Sequence, residues 1–197
     1  MALSTNKNVY RIAEIQQGYF TTKQAKQAGY AENTHPYHVH AGNWVRELRG
    51  IYRLARFPSS PQSDLVKWSL WSRDRTDAPK GVYSHATALS IYELSDVMPS
   101  KLHMTVPYAF RRNGTVPPIL ILHKADIDNR DIEQMTGFKA TRPLRTILDL
   151  LEEDKTSRHI IKQALQQALQ RRLITRTAIN RLSNNKPLLA LLNKDLS

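Results

Sequence analysis

The segment from residue 21 to residue 54 constrains the fold of this chain more than any other part of the sequence. Thr21 is a good N-cap for a first short helix over residues 23–28. Gly29 then supplies a turn, and Gly42 suits the left-handed position at the end of a second short helix. Two short helices joined in this way predict a helix-turn-helix.

A basic hairpin follows the second helix. Residues 44–46 and 50–54 are two extended runs, and residues 47–49 join them. A hairpin in this place is a wing, so the whole segment predicts a winged helix-turn-helix. In that arrangement the second helix is presented to a groove of DNA.

The remainder of the sequence predicts further helices and a few strands, and therefore the α+β class. The N-terminal winged helix-turn-helix is followed by a mixed α+β domain with a small sheet and C-terminal helices. The predicted helices cover residues 8–17, 64–73 and 84–94, one that starts at Pro143, one lined by a leucine-rich stripe over 161–173, and one from Thr175 to 182. The predicted strands cover residues 101–106, 119–123 and 138–141.

A stretch rich in proline and serine, FPSSPQS, marks the expected domain boundary. We expect a DNA-binding domain over residues 1–57, a linker over 58–63 and a C-terminal domain over 64–197. Chains of this length have room for a small module and a larger one.

The charge of the chain favours a polyanionic partner. The formal net charge is +12 and the pI is about 10.1, which points to nucleic acid or to an anionic membrane surface. No apolar run approaches the roughly 18 to 20 residues of a membrane span, and the first residues lack a secretory signal. With no cysteine to form disulfides, we expect a cytoplasmic, nucleoid-associated protein without a membrane partner.

The candidate DNA contacts form two groups. Side chains on the second helix can reach base edges or phosphates: Asn33, Thr34, His35, Tyr37, His38 and His40. Residues on the first helix and the wing suit phosphate contacts: Thr22, Lys23, Lys26, Arg46, Arg49 and Arg53. Pro36 fits if Asn33 or Thr34 caps the second helix, because proline is tolerated in a first turn. The alternative is that these side chains are only solvated surface.

Basic residues in the larger domain could form a secondary phosphate contact. Residues 155–186 hold eight Lys or Arg and no acid, although a run of one charge is more often a solvated face. The secondary candidates are Arg111, Arg112, Lys162, Arg171, Arg172 and Arg176.

The sequence gives little support for catalysis, a metal or a cofactor. It contains no glycine-rich phosphate loop, no His-Glu-x-x-His and no Gly-x-Ser-x-Gly. The Glu153-Asp154-Lys155 run is explained as a charged helix end, and nothing in the spacing supports a triad of Ser84, His85 and Asp149. We expect His85 and His103 to be hydrogen-bonded and half-buried. We expect no zinc at His35, His38 and His40, which lack the usual helical ligand pattern.

The chain resembles the AbiEi antitoxins of bacterial type IV toxin-antitoxin systems. Three pieces carry the resemblance: GYFTTKQAKQAGY through HVHAGNWVRELRGIYRLA, then VYSHATALSIYELSDVMPSKLHMTVP, then TRPLRTILDLLEE. The resemblance implies a winged domain that binds inverted repeats upstream of its own operon. It also implies a C-terminal domain that assists repression and counteracts a nucleotidyltransferase toxin, with or without a direct complex between the two proteins.

Three hypotheses about function stay open at this point. The first is an autorepressor and antitoxin without enzymatic activity. The second is a stand-alone winged-helix regulator whose C-terminal domain senses a ligand or dimerises. The third is a nucleic-acid-processing enzyme, which lacks a carboxylate cluster in the sequence.

Overall fold

The computed structural model describes residues 2–96, 98–112, 114–182 and 188, and it divides into two compact units. The first unit comprises Met1–Gly81 with Gln134–Lys139, and the second comprises Val82–Glu133 with Ala140–Ser197. Helices and small sheets occur in the chain, so the α+β class is confirmed.

The first unit contains four helices, a short 3₁₀ helix and a three-stranded sheet. In chain order these are α1 (Ala2–Glu14), β1 (Tyr19–Thr21), α2 (Thr22–Gln27), the 3₁₀ helix Glu32–Thr34, α3 (His35–His40), β2 (Trp44–Leu48), β3 (Ile51–Leu54) and α4 (Ser63–Trp71). The sheet is antiparallel with the order β1-β3-β2. Strands β2 and β3 form the predicted wing, and β1 adds a third strand to it.

Local sequence signals explain both helices of the helix-turn-helix. Thr21 caps α2 through a capping box: its hydroxyl accepts from the Gln24 amide at 3.1 Å, and the Gln24 side chain accepts from the Thr21 amide at 2.9 Å. Thr34 is the N-cap of α3, so Pro36 lies in the first turn as predicted. Gly42 follows α3 with a φ of +70°.

Several predicted boundaries in this unit were wrong. Helix α1 begins before residue 8 and ends before residue 17. Strand β2 continues to Leu48, so the hairpin turns at Arg49 and Gly50 rather than over residues 47–49. The turn falls there because Gly50, with a φ of +70°, adopts a conformation that a β-carbon disfavours.

Helix α4 lies in the first unit, although the sequence assigned residues 64–197 to the second domain. It starts at Ser63, with Gln62 rather than Asp64 at the capping position. It packs against β1 and β3, because Val66 and Leu70 form a buried side of the helix.

A small aromatic core holds the first unit together. Its buried members are Val9, Ala13, Phe20, Ala25, Ala28 and Trp44. The rings of Phe20 and Trp44 meet edge to face with centroids 4.9 Å apart. This core holds α3 and the wing in position.

The second unit is built around a five-stranded sheet with the order β6-β5-β4-β8-β7. Its elements are β4 (Val82–Tyr83), α5 (His85–Ile91), β5 (Leu102–Val106), β6 (Leu120–Lys124), β7 (Ile132–Gln134), β8 (Lys139–Thr141), α6 (Pro143–Glu153), α7 (Arg158–Gln170) and α8 (Arg176–Asn180). Residues 134–139, which include the end of β7, the turn and the start of β8, group with the first unit. Strands β5 and β6 are parallel, and β4 is antiparallel to β5.

The helix signals in this unit are confirmed. Pro143 lies in the first turn of α6, and the Thr175 side chain accepts from the Ala178 amide at the start of α8. No helix in the part of the chain that the structure describes has both the length and the apolar character needed to cross a membrane.

Candidate nucleic-acid interface

His35, predicted to face DNA, belongs instead to the core of the winged unit. Its exposed fraction is only 1 %, and its ring meets Trp44 at 5.3 Å and Tyr52 at 5.6 Å. Burial lowers the pKa of His35, although the Tyr30 main chain opposes this effect. The prediction of a base or phosphate contact by His35 was therefore wrong, because the first position of α3 faces the sheet.

His38 is half-buried on the same side of α3, one turn after His35. Its ring stacks on Trp44 with centroids 4.7 Å apart and meets Tyr30 edge to face at 4.9 Å. Burial lowers its pKa. His38 thus uses much of its ring for packing, and the fully exposed position expected for it is corrected.

The outward side of α3 presents a smaller polar surface than expected. Asn33, Tyr37 and His40 are exposed, and Tyr37 is 68 % exposed. Thr34 is half-buried, and its hydroxyl donates to the Ala31 carbonyl at 2.6 Å. We call Tyr37 and His40 of α3, together with Asn33 of the preceding 3₁₀ helix, the α3 polar face.

Helix α2 contributes two exposed lysines and one residue that meets the wing. Lys23 and Lys26 are exposed, and Lys26 pairs with Glu32 at 3.1 Å. Thr22 is half-buried, and its amide donates to the Gly50 carbonyl at 3.1 Å. The start of α2 is therefore joined to the wing turn.

The wing carries two exposed arginines and one that has a structural partner. Arg46 and Arg49 are exposed. The side chains of Arg53 and Glu47 are each only 21 % exposed, and Arg53 Nε lies 3.1 Å from Glu47 Oε1. Arg53 also donates to the Phe57 carbonyl at 3.4 Å. The phosphate contact by Arg53 stays a prediction, and this ion pair with Glu47 would compete with it.

Arg73 supports the wing turn, and sequence reasoning missed it. One of its terminal nitrogens donates to the carbonyls of Arg49 at 3.3 Å and Gly50 at 3.2 Å. Its Nε lies 3.0 Å from Asp77 Oδ1, and Asp77 accepts a short hydrogen bond from the Thr21 hydroxyl. One guanidinium therefore links the wing turn to the cap of α2. No local pattern could predict a contact across 24 residues.

The basic residues predicted to form a secondary phosphate contact lie in the second unit, and they differ in exposure and in hydrogen bonding. Arg111 donates to the Tyr108 carbonyl at 2.9 Å, and Arg171 donates to the Tyr92 carbonyl at 2.6 Å. Arg172 and Arg176 are exposed, whereas Arg112 and Lys162 are half-buried. The end of the basic run, residues 183–187, lies outside the described residues. A second phosphate-binding face stays a prediction.

A second group of functional side chains lies in the second unit, where the sequence predicted no metal site. His85 begins α5, His103 lies on β5 and His123 lies on β6. One ligand atom from each ring lies within 4.8 Å of the other two. The register pairs His103 with Ile121 and Thr105 with His123, so both histidines share one face of the sheet.

Hydrogen bonds hold the three histidine rings. His85 Nδ1 lies 2.9 Å from the Ser84 hydroxyl, and His103 Nδ1 lies 3.0 Å from His123 Nε2. Burial lowers the pKa of all three, that of His85 to about 3 with help from the His123 charge. Asp149 pairs instead with Arg145 at 2.7 Å.

Comparison with known proteins gives one match in the winged unit and one structural similarity over most of the chain. A family model described as "Transcriptional regulator, AbiEi antitoxin" matches residues 9–55. The crystal structure of the RV2827C protein from Mycobacterium tuberculosis is similar with a TM-score of 0.48 and 13 % identity, over 80 % of this chain and 69 % of that chain. No curated protein sequence matches the chain. Residues 9–55, from within α1 to the end of the wing, are therefore similar to the AbiEi antitoxin family of transcriptional regulators.

Proposed function

We propose that the chain is a sequence-specific DNA-binding autorepressor whose winged unit binds inverted repeats upstream of its own operon. The observation that carries the proposal is the α3 polar face, which stays exposed while His35 and His38 pack inward. The family match of residues 9–55 supports the same conclusion. We assign this function to residues 1–57 of the first unit, which contain α3 and the wing.

The exposed residues divide into two chemical roles. The Asn33 amide can form two hydrogen bonds with adenine, and Tyr37 and His40 can donate to or accept from bases and phosphates. Lys23, Lys26, Arg46 and Arg49 provide positive charge for phosphates and so supply affinity that depends on salt. The supporting contacts of Arg73 hold the wing turn in place for this purpose.

We further propose that the C-terminal part of the chain counteracts a nucleotidyltransferase toxin, acting in the cytoplasm at the nucleoid. The support is the resemblance of residues 82–107 and 141–153 to AbiEi antitoxins, together with a second compact unit that is available for a task besides DNA binding. No catalytic step in the chain is part of this proposal.

Co-expression with a nucleotidyltransferase from a neighbouring gene tests the antitoxin role separately from DNA binding. We expect the full chain to restore growth, and the double variant Arg46→Ala, Arg49→Ala to restore it equally when both genes are driven by foreign promoters. Failure of the unaltered chain to restore growth would leave a stand-alone regulator as the better account.

A further inference from the structure

Three histidines of the second unit converge although they come from three separate elements. α5 supplies His85, while the parallel strands β5 and β6 supply His103 and His123. His85 is buried, with an exposed fraction of 7 %, and the other two are half-buried. The candidate ligand nitrogens all lie within 4.8 Å of one another.

The distances among these nitrogens come close to those of a metal site. Two imidazole nitrogens bound to tetrahedral zinc at about 2.0–2.1 Å are roughly 3.3 Å apart. His103 Nδ1 and His123 Nε2 are 3.0 Å apart, so these two nitrogens must separate by about 0.3 Å, and their rings must turn toward an ion that lies beside the line between them. The His85 ring stacks on that of His123 at 3.7 Å and must turn about its second side-chain torsion, which has a broad energy minimum.

The surroundings of His85 provide the support that a metal ligand needs. Its Nδ1 lies 2.9 Å from the Ser84 hydroxyl, which lies 2.7 Å from the Thr105 hydroxyl. A ligating histidine almost always uses its second nitrogen in such a hydrogen bond. Nε2 of His85 is then the nitrogen that would bind the ion.

The charge around the cluster is mixed, and one carboxylate acts on all three rings. Glu153 exerts an electrostatic effect on His85, His103 and His123, whereas Lys155 opposes it at the last two. Lys155 is itself paired with Glu153 at 3.0 Å. The negative charge of Glu153 favours a dication, and its pairing with Lys155 limits that benefit.

We propose that His85, His103 and His123 bind one Zn²⁺ ion, with a fourth position open to water or an external ligand. Three imidazoles without a bound carboxylate suit zinc and neighbouring transition metals, and not Mg²⁺ or Ca²⁺, which prefer oxygen ligands. The fourth position gives the second unit a place where a ligand could bind to the metal.

Titration of the untagged, chelator-treated full chain with ZnCl₂ in a calorimeter tests the proposal. We expect one ion per chain, and a loss of affinity of at least about tenfold in His103→Gln and in His123→Gln, since each change removes a ligand. His159→Gln is the matched control, because His159 is exposed on α7; it should bind zinc as the unaltered chain does. Binding that is absent, or that survives both substitutions, overturns the proposal.

A second measurement needs no substitution and so covers the case in which a variant fails to fold. Crystals of the unaltered chain grown with ZnCl₂ should give an anomalous difference peak at the zinc edge, about 2.0–2.1 Å from one nitrogen of each of the three imidazoles. The absence of that peak, or a peak only at His35, His38 or His40 in the winged unit, contradicts the proposal.

Discussion

His35 and His40 lie at opposite ends of α3, yet one is buried and the other is exposed. Sequence spacing could place both on one short helix, but a six-residue helix has too few apolar positions to define its buried side. Trp44 determines which side of α3 is buried, because it packs against His35 and His38. This tertiary contact is not encoded by any local pattern.

Replacing His35 separates a core role from a DNA contact. We expect His35→Phe to keep DNA affinity, because an aromatic ring still packs against Trp44 and Tyr52. His35→Ala should lower the free energy of unfolding by about 2–4 kcal/mol, since it leaves a cavity. Urea unfolding and DNA titration of both variants measure the two effects. Loss of DNA affinity in a stable His35→Phe protein would show that His35 contacts DNA.

Asp149 should make the stability of the second unit depend on pH. Burial raises its pKa to about 6, while Arg145 opposes this effect. The folded state therefore binds a proton more tightly than the unfolded state, whose carboxyl has a pKa of about 3.9. The stabilisation from this group is present below about pH 4 and is lost as the pH rises through about 6.

We expect Asp149→Asn to abolish that part of the pH dependence. Between about pH 4 and 7, the free energy of unfolding of the unaltered chain should fall relative to the variant, by roughly 1.4 kcal/mol for each unit of pKa difference. Asp126→Asn is the control, because Asp126 is exposed. Parallel pH profiles for the unaltered chain and Asp149→Asn would show that Asp149 titrates normally.

At the scale of elements, the wing depends on a turn that is held from outside the hairpin. Gly50 has a φ of +70°, and a β-carbon there would lie 2.9 Å from Arg73 Nη2 and 3.3 Å from Thr22 Oγ1. The same φ occurs at Gly42, where a β-carbon would have no neighbour within 4 Å. These two glycines therefore form a matched pair.

Comparison of Gly50→Ala with Gly42→Ala isolates the contribution of Arg73. We expect Gly42→Ala to lower the free energy of unfolding by about 1–2 kcal/mol from backbone strain alone. Gly50→Ala should lower it by about 1–2 kcal/mol more, because it displaces the guanidinium from the wing carbonyls. Thermal unfolding measures both changes. Equal losses would mean that Arg73 does not support the turn.

The exposed arginines of the wing should determine how strongly DNA binding depends on salt. Each phosphate contact that is removed should reduce the slope of log K against log salt by about 0.9. We expect this reduction in Arg46→Ala and in Arg49→Ala, measured by fluorescence anisotropy of labelled DNA. Arg130→Ala is the control, because Arg130 is an exposed arginine of the second unit. Unchanged slopes in both wing variants would exclude these contacts.

Elements with strong local signals could be predicted from the sequence, and very short ones could not. The N-cap residue Thr21 and Pro143 at the start of α6 marked their helices correctly. Strands β4 and β7 have only two and three residues, too few for an alternating pattern. They form because neighbouring strands supply hydrogen-bond partners, which is a property of the sheet.

At the scale of the whole molecule, the single domain boundary expected from sequence composition differs from the division into two compact units that the structure shows. The proline-serine stretch marks the end of the wing, but α4 returns to β1 and β3 and stays with the first unit. The turn over residues 134–139 also groups with that unit. The histidine cluster escaped prediction for a similar reason, since its members are separated by 18 and 20 residues in sequence.

The most direct test of the central claim is a nuclease footprint of the full chain on the DNA upstream of its own gene. We expect protection of an inverted repeat by the unaltered chain and by His35→Phe. The double variant Arg46→Ala, Arg49→Ala should lose that protection, while Arg130→Ala keeps it. No protection by the unaltered chain at low salt, or equal protection by the double variant, would contradict the assignment of DNA binding to the winged unit.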